Sequence, residues 1–236
     1  MCDIALRSRR DDMNSYSKER KRQAIKESKE LYPPVKNKII SRLNEFKRIW
    51  NRGNEEDIFA ELVFCLLTPQ SKARSCYDAV GCLLERDLLL KGNKSQIAKE
   101  LRGKVRFHNT KAKHIVEARK IFSERGKLSL KKMLVQFNDP KEAREWLVEN
   151  IKGLGFKEAS HFLRNIGKGE NLAILDRHIL KNLELLEVIN EIPTSLSKKK
   201  YLEIEKRMKD FAENVKIPMS HLDLLFWYKE TGEVFK

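Results

Sequence analysis

The amino-acid sequence predicts an all-α fold for this chain of 236 residues. Beyond the stretch "YPP", apolar residues recur at intervals of three and four, the spacing of one face of a helix. Several of these segments begin with residues that favour helix amino termini. No two segments show the alternation of paired strands, and no internal repeat is present. The chain is long enough for one substantial core, or for two small ones that share an interface.

The amino-terminal part of the chain is polar and dense in charge. Residues 1–31 include "LRSRRDD" and "SKERKRQAIKESKE", so we expect a flexible basic segment that leads into a helix. The next segment, "VKNKIISRLNEFKRIW", is predicted to be helical, with one apolar face made by Val35, Ile39, Ile40, Leu43, Phe46 and Trp50. A second helix, in "NEEDIFAELVFCLL", is predicted to begin at Asn54, because a capping side chain followed by acidic residues is typical of a helix start.

Nine further helices are predicted along the rest of the chain. They lie at about 71–86, 94–101, 110–124, 129–136, 140–151, 156–166, 177–187, 195–215 and 219–230. Three of them have recognisable starts, at Ser71 after Pro69, Asp139 before Pro140, and Thr194 with Ser195.

The charge of the chain favours nucleic acid as a partner. There are 49 Lys and Arg residues against 34 Asp and Glu, which gives a formal net charge of +15. Such an excess of positive charge is typical of proteins that bind a polyanion. No apolar run is long enough for a membrane helix, and the amino terminus lacks the apolar stretch of a secretory signal. We therefore expect a soluble, cytoplasmic protein that has no membrane contact.

Cysteine and histidine spacing gives no support for a metal site. The four cysteines form no CxxC pair, and Cys65 and Cys76 fall inside apolar helical patterns, where free thiols act as small core residues. The absence of closely spaced cysteines argues against an iron-sulfur cluster or a zinc site. For His161 and His178, structural hydrogen bonding is favoured over a catalytic role. No cofactor and no metal are expected.

The stretch "ENIKGLGFKEASHFLRNIG" contains the most informative motif. Two predicted helices are joined by Lys152, Gly153, Leu154 and Gly155, which expose backbone N–H groups of the turn and of the next helix. Such groups form an anion site that suits a DNA phosphate. The alternative is a plain turn between helices, and the net charge together with Lys152 favours the phosphate site.

Lys157 and Asp176 are the candidate catalytic residues. Lys157 opens the helix after the glycines, where the positive end of the helix dipole favours a neutral, nucleophilic amine. The chain can then return so that Asp176, at the start of "RHILKNLELL", comes back towards the lysine. Its carboxylate can cap that helix and also stabilise a developing cation or accept a proton.

The order of these motifs resembles that of a known enzyme superfamily. A helix, "KGLG", Lys157 and Asp176 occur in this order in the helix-hairpin-helix DNA glycosylases. The strings "IKGLGFKEASHFLRNIG", "LDRHIL", "YLEIE" and "LDLLFWYKETGEVFK" resemble, more narrowly, the archaeal type of 8-oxoguanine DNA glycosylase/AP lyase, over roughly residues 35–236. The chain lacks the cluster cysteines of the endonuclease III branch, and it has no room for the extra β-rich domain of the eukaryotic type.

This resemblance implies a fold with two helical subdomains that flank an active-site cleft. One subdomain would span about 56–169 and include the hairpin, and the other would combine about 32–55 with 170–236. The damaged nucleotide would be flipped out of the duplex, because its sugar carbon cannot be attacked inside the stack. Lys157 would attack C1′ and expel the base. The Schiff base formed in this way permits β-elimination, supported by Asp176.

Other site residues are implied by the same resemblance. Phe107 and Trp227 match aromatic residues that sandwich the flipped base, with core packing as the alternative for each. Lys236 matches a terminal lysine whose main-chain carboxylate reaches the base. Gln70 matches the position that probes the gap left in the duplex. Asp223 can either cap the last helix or line the base pocket, and its closeness to Trp227 favours the pocket.

The expected partner is double-stranded DNA that contains 8-oxoguanine or abasic sites, bound by a monomer. One alternative is a glycosylase for another lesion, such as an alkylated base or an oxidised pyrimidine. The other is a non-catalytic helical module that uses the hairpin only to hold phosphates. A passive binder needs neither Lys157 nor Asp176, so this pair favours an enzyme.

Overall fold

A computed structural model describes residues 2–235 of the chain, with side chains from Glu19 to Phe235. The predicted all-α class is confirmed, since these residues form twelve helices and one short two-stranded sheet. In chain order the elements are α1 (Cys2–Arg52), α2 (Glu55–Leu67), α3 (Ala73–Glu85), α4 (Leu88–Lys91), α5 (Lys94–Leu101), α6 (His108–Ile121), β1 (Ser123–Glu124), β2 (Lys127–Leu128), α7 (Leu130–Leu134), α8 (Pro140–Asn150), α9 (Phe156–Asn165), α10 (Arg177–Leu185), α11 (Lys198–Val215) and α12 (Met219–Thr231). Sequence analysis missed α4 and the sheet, which are too short to show a periodic pattern.

The chain divides into two compact units. The boundaries fall between Ser41 and Arg42, inside α1, and between Ile174 and Leu175. The first unit contains the residues up to Ser41 together with Leu175–Phe235. The second unit contains Arg42–Ile174. Sequence analysis expected the changes from one subdomain to the other near residues 55 and 169.

Helix α1 extends further towards the amino terminus than its apolar pattern indicates. Sequence analysis expected a helix from Val35, whereas α1 contains Pro33 and Pro34 in its interior. A proline inside a helix removes a hydrogen bond and costs about 3 kcal/mol. Apolar side chains of α1 are buried both before the prolines, at Ala24, and after them, at Ile39. This burial offsets the cost.

In the first unit, α1 packs against the last helix. The Tyr32 hydroxyl lies 2.8 Å from Nδ1 of His221, and the two rings meet edge to face with centroids 5.8 Å apart. On the same pair of helices, Lys229 forms an ion pair with Glu27 at 3.4 Å. These contacts attach the part of α1 just before the prolines to α12.

In the second unit, α2 lies at the centre of the core. Its buried residues surround the helix: Ile58, Phe59, Ala60, Glu61, Leu62, Val63, Phe64, Cys65, Leu66 and Leu67. A helix that is apolar on all sides is covered on all sides. Helix α9 is one of its neighbours, and α9 is itself buried from Ala159 to Asn165.

Two helix starts predicted from sequence are confirmed. Asn54 caps α2 by accepting the N–H of Asp57 at 2.9 Å, and the Asp57 carboxylate accepts the N–H of Asn54 in return. Asp139 caps α8 by accepting the N–H of Lys141 at 2.8 Å. These reciprocal and single caps satisfy N–H groups that have no partner within the helix.

Two other predicted starts are wrong. Ser71 does not cap α3, which begins at Ala73 without a side-chain cap, because the Ser71 hydroxyl accepts hydrogen bonds from other parts of the chain. Thr194 and Ser195 precede α11, which is capped instead by Ser197. Several cap-forming residues stand close together there, and the sequence does not distinguish among them.

Two kinds of feature are absent from the described part of the chain. None of the described helices combines the length and the apolar composition that a bilayer-crossing helix requires. Among residues 19–235, whose side chains are described, no three His, Cys, Asp or Glu residues come together as a metal site would require.

Neither Cys65 nor Cys76 forms a disulfide, and both side chains are fully buried, as predicted. Burial raises the pKa of Cys76 to about 11, although Lys111 and Lys157 oppose the shift, and its Sγ lies 3.2 Å from the carbonyl oxygen of Leu67. Since the thiolate is the reactive form, Cys76 is chemically inert near neutral pH.

We therefore predict selective alkylation of the folded protein. Iodoacetamide at pH 8 should modify Cys82, which is partly exposed, while Cys65 and Cys76 react only after denaturation in urea. Peptide mass spectrometry with and without urea measures the difference. Labelling of Cys76 in the native protein as fast as that of Cys82 would contradict its burial.

Candidate active site

The turn between α8 and α9 forms the predicted hairpin. Helix α8 ends at Asn150 with Ile151 as its C-cap, and Gly153 adopts a φ of +87°, in the left-handed region that favours glycine. Leu154 is buried in the core of the second unit, and this burial anchors the turn. The side chain of Lys152 is 71% exposed. The turn therefore presents its backbone and one cation to solvent.

Gly153 is also required by a close neighbour. A Cβ atom at this position would lie 2.3 Å from Nδ1 of His114, so the imidazole ring of α6 packs directly on the backbone of the turn. Burial lowers the pKa of His114, and Lys113 and Lys152 lower it further, while Glu117 opposes the shift. The ring thus supports the turn mainly in its neutral form.

Glu158 connects the turn to Lys157. Its Oε2 accepts the N–H of Gly155 at 3.2 Å, and its Oε1 lies 2.8 Å from Nζ of Lys157. The carboxylate therefore caps α9 and holds the lysine amine at the amino end of the helix. Sequence analysis missed Glu158, although a glutamate three residues after a helix cap is a known signal.

Lys157 lies in a partly enclosed, polar environment. Its side chain is 24% exposed, and Nζ lies 3.5 Å from the hydroxyl oxygen of Thr68, in the turn after α2. Lys111 is also close enough for its pKa to be affected by the Lys157 charge. An amine in such surroundings can reach a ligand while keeping a defined orientation.

The turn over residues 67–71 is held by Lys111, which sequence analysis also missed. Lys111 is only 4% exposed, and its ammonium donates to the carbonyl oxygens of Leu67 at 2.7 Å and Pro69 at 2.8 Å. A third hydrogen bond runs to the Ser71 hydroxyl at 2.9 Å. Neither its spacing nor its neighbours in sequence indicate these contacts, which join residues 40 to 44 positions apart.

Gln70 and Phe107 are exposed and share an unusual backbone conformation. Gln70 has a φ of 53° and Phe107 a φ of 56°, and Phe107 is 56% exposed. Core packing, the alternative for Phe107, is therefore wrong. The N–H of Arg106 donates to the Ser71 hydroxyl at 3.0 Å, which links the segment containing Phe107 to the turn containing Gln70. Positive φ in such residues is typical of functional sites.

In the first unit, Asp176 caps α10 with a single oxygen. Its Oδ1 accepts the N–H groups of His178 and Ile179, both at 2.8 Å. Among the described residues, Oδ2 makes no hydrogen bond. The carboxylate is partly exposed, so one oxygen fixes its orientation while the other can interact with a substrate.

Trp227 and Asp223 lie one turn apart on α12 in the same unit. The Trp227 ring meets the ring of His178 edge to face, with centroids 5.2 Å apart, and is partly exposed. Asp223 is buried. Nδ1 of His178 lies 3.8 Å from Glu230, so this histidine has structural contacts, as predicted. His161 is buried against Phe64, which also agrees with a structural role.

The predicted site residues thus fall into two sets. The second unit contains Lys157, Gln70, Phe107 and the turn over residues 152–155, and the first unit contains Asp176, Asp223 and Trp227. Lys236, predicted to reach the base through its carboxylate, lies outside the described residues.

Comparison with known proteins gives one consistent family. The family model described as 8-oxoguanine DNA glycosylase matches residues 39–217. A protein of Fusobacterium nucleatum named 8-oxoguanine DNA glycosylase/AP lyase is 48% identical over 217 residues, which cover 92% of this chain and 100% of the relative. Its counterpart of the same name from Methanocaldococcus jannaschii is 41% identical over 206 residues, 86% of this chain and 93% of the relative.

Solved structures agree with this result. The crystal structure of the Thermotoga maritima 8-oxoguanine DNA glycosylase superposes with a TM-score of 0.82 at 38% identity, and covers 92% of this chain and 100% of that one. The Methanocaldococcus jannaschii enzyme, crystallised with 15mer DNA containing 8-oxoguanine, gives 0.81 at 39% identity, over 90% and 99%. The chain therefore belongs to the 8-oxoguanine DNA glycosylase family, and it has the helix-hairpin-helix fold and the archaeal-type resemblance that its sequence predicts.

Proposed function

We propose that this protein is a bifunctional DNA repair enzyme that excises 8-oxoguanine and then cleaves the abasic strand. The observation that carries this proposal is the position of Lys157, which stands at the start of α9 directly after the hairpin turn, oriented by Thr68 and Glu158. A lysine amine held beside a phosphate-binding turn is suited to attack a sugar carbon of the bound strand.

In the proposed reaction, the neutral amine of Lys157 attacks C1′ of a nucleotide that has left the base stack. The bond between C1′ and the base breaks, and the base leaves with a proton. The sugar ring opens to give an iminium between C1′ and Nζ. Loss of a proton from C2′ then breaks the bond between C3′ and its oxygen, which cuts the strand on the 3′ side.

Asp176 is proposed to support the charge that develops in this reaction. The iminium and the state that precedes it are cationic, and a carboxylate that two backbone N–H groups hold in place can stabilise a positive charge beside it. Its Oδ2 is the oxygen proposed to face the substrate. This role is electrostatic, so it requires no movement of the carboxylate during the reaction.

The remaining predicted residues are proposed to bind the DNA. The hairpin turn over residues 152–155 contacts phosphates, Gln70 enters the gap left by the flipped nucleotide, and Phe107, Asp223, Trp227 and Lys236 surround the base. Both proposed catalytic residues lie in one chain, so we propose that a monomer is sufficient. Its place of action would be the nucleoid DNA of the cytoplasm.

The first prediction concerns Lys157. Lys157→Gln should bind duplex DNA normally but give no covalent complex when borohydride is present to reduce an imine. Lys120→Gln, which changes an exposed lysine of α6, is the matched control and should be trapped like the wild type. Undiminished trapping by Lys157→Gln would show that another amine is the nucleophile.

The same trapping assay tests the substrate class. Duplexes that carry 8-oxoguanine, an oxidised pyrimidine, an alkylated base or a preformed abasic site are compared under single-turnover conditions. We expect the highest excision rate for 8-oxoguanine. Faster excision of one of the other lesions would identify a glycosylase of different specificity.

The second prediction separates the two roles of Asp176. Asparagine caps helices as well as aspartate, so Asp176→Asn should leave the unfolding free energy nearly unchanged. Loss of the charge should nevertheless slow excision by about 100-fold. Asp176→Ala should lose both the helix cap and the charge, so it should be about 1 kcal/mol less stable and should also excise slowly. A normal excision rate for Asp176→Asn would reduce the residue to a helix cap.

The third prediction concerns the hairpin. Affinity for duplex DNA should fall steeply with salt, because each phosphate contact releases counterions. Lys152→Gln should make the slope of log affinity against log salt less steep by roughly one. Lys199→Gln, an exposed lysine of the other unit, is the control. An unchanged slope for Lys152→Gln would exclude a phosphate contact by that side chain.

A further inference from the structure

We infer that Lys111 is a positioning residue that holds the turn over residues 67–71, so that the Thr68 hydroxyl orients the amine of Lys157. This inference rests on the proposed function, because it assigns Lys111 a part in presenting the nucleophile. No element of the reaction proposed above makes use of Lys111, although it is the most thoroughly hydrogen-bonded lysine near Lys157.

The hydrogen bonds of Lys111 explain why it acts on the protein and not on the DNA. An ammonium group has three N–H donors, and those of Lys111 meet three acceptors at 2.7, 2.8 and 2.9 Å. Burial lowers the pKa of Lys111, Cys76 opposes the shift, and the charge of Lys157 adds to it. Hydrogen bonds to acceptors favour the charged form of an amine. With 4% of its surface exposed, the side chain has no free donor for a phosphate.

The turn depends on this ammonium for its shape. The carbonyl oxygens of Leu67 and Pro69 point towards Lys111, and Gln70, which lies between Pro69 and Ser71, has a φ of 53°. A positive φ in a residue other than glycine is unfavourable and persists only where surrounding contacts impose it. The backbone within the turn supplies few such contacts, the main one being from the N–H of Ser71 to the carbonyl of Thr68 at 3.0 Å.

Thr68 connects this turn to the nucleophile. Its hydroxyl donates to the carbonyl oxygen of Cys65 at 2.8 Å, so the remaining lone pairs of the oxygen face Nζ of Lys157 at 3.5 Å. Any displacement of the turn moves this acceptor. Because a misplacement of about 1 Å can cost about 100-fold in rate, the position of Thr68 matters for the chemical step.

The test is the variant Lys111→Met, which keeps an unbranched side chain one atom shorter and removes the ammonium. At saturating enzyme, single-turnover rates on 8-oxoguanine duplex and on a preformed abasic site should both fall by about 10- to 100-fold. The dissociation constant for undamaged duplex should stay within about threefold, since Lys111 does not reach DNA. Lys120→Met, on an exposed position of the same helix, should match the wild type.

A double variant tests whether Lys111 acts through Thr68. If it does, Lys111→Met combined with Thr68→Val should be no slower than the slower single variant, because residues that act through one contact are not additive. Multiplied losses would overturn the proposed route. A full rate for Lys111→Met, or a loss confined to duplex affinity, would overturn the inference itself.

Ser71→Ala keeps the test valid if Lys111→Met does not fold. This variant removes one of the three acceptors and leaves both carbonyl bonds in place, so a loss of about threefold in the same rates is expected. A normal rate for a folded Ser71→Ala would then overturn the inference. Absence of trapping by the wild type would contradict the proposed function, whereas normal trapping by both wild type and variants would contradict only the role of Lys111.

Discussion

The burial of α9 in the second unit is the constraint on which the site depends. From Ala159 to Asn165 the helix is enclosed, and its immediate neighbours include α2 and α8. Only its amino-terminal turn reaches the surface, and that turn carries Lys157. The backbone of a fully packed helix is fixed in position, because core side chains tolerate little displacement, so the side chain of Lys157 extends from a fixed Cα atom. The same helix and the buried side chain of Leu154 also hold the hairpin turn in position.

Buried polar contacts define how α9 is placed in this core. Asn165 donates to the Glu61 carboxylate of α2 at 3.0 Å, and Arg144 of α8 donates to the Ser160 hydroxyl at 3.2 Å. The Arg144 guanidinium also lies 5.1 Å from the ring centre of Phe156. Apolar packing alone would accept a helix that slides or rotates, whereas a buried polar group without its partner is costly. These contacts therefore select one position of the helix.

Sequence could predict what is encoded locally. The caps at Asn54 and Asp139 and the glycine-containing hairpin are short-range signals, and apolar spacing predicts the longer helices that follow Pro34. The extension of α1 through Pro33 could not be predicted, because it depends on burial against residues far along the chain. The same reason hid Lys111, whose contact with Leu67 spans 44 positions and leaves no mark in the sequence around either residue.

The two lysines near the turn over residues 67–71 differ in how readily their amino groups can react with an electrophile. Lys111 has all three hydrogens engaged, so losing a proton to expose its lone pair would leave one buried acceptor without a donor. Lys157 contacts one hydroxyl and one carboxylate and is partly open to solvent. An aldehyde that enters this region therefore meets two amino groups, of which only that of Lys157 is partly open to solvent. The protein thus distinguishes two chemically identical groups both by their burial and by their hydrogen bonds.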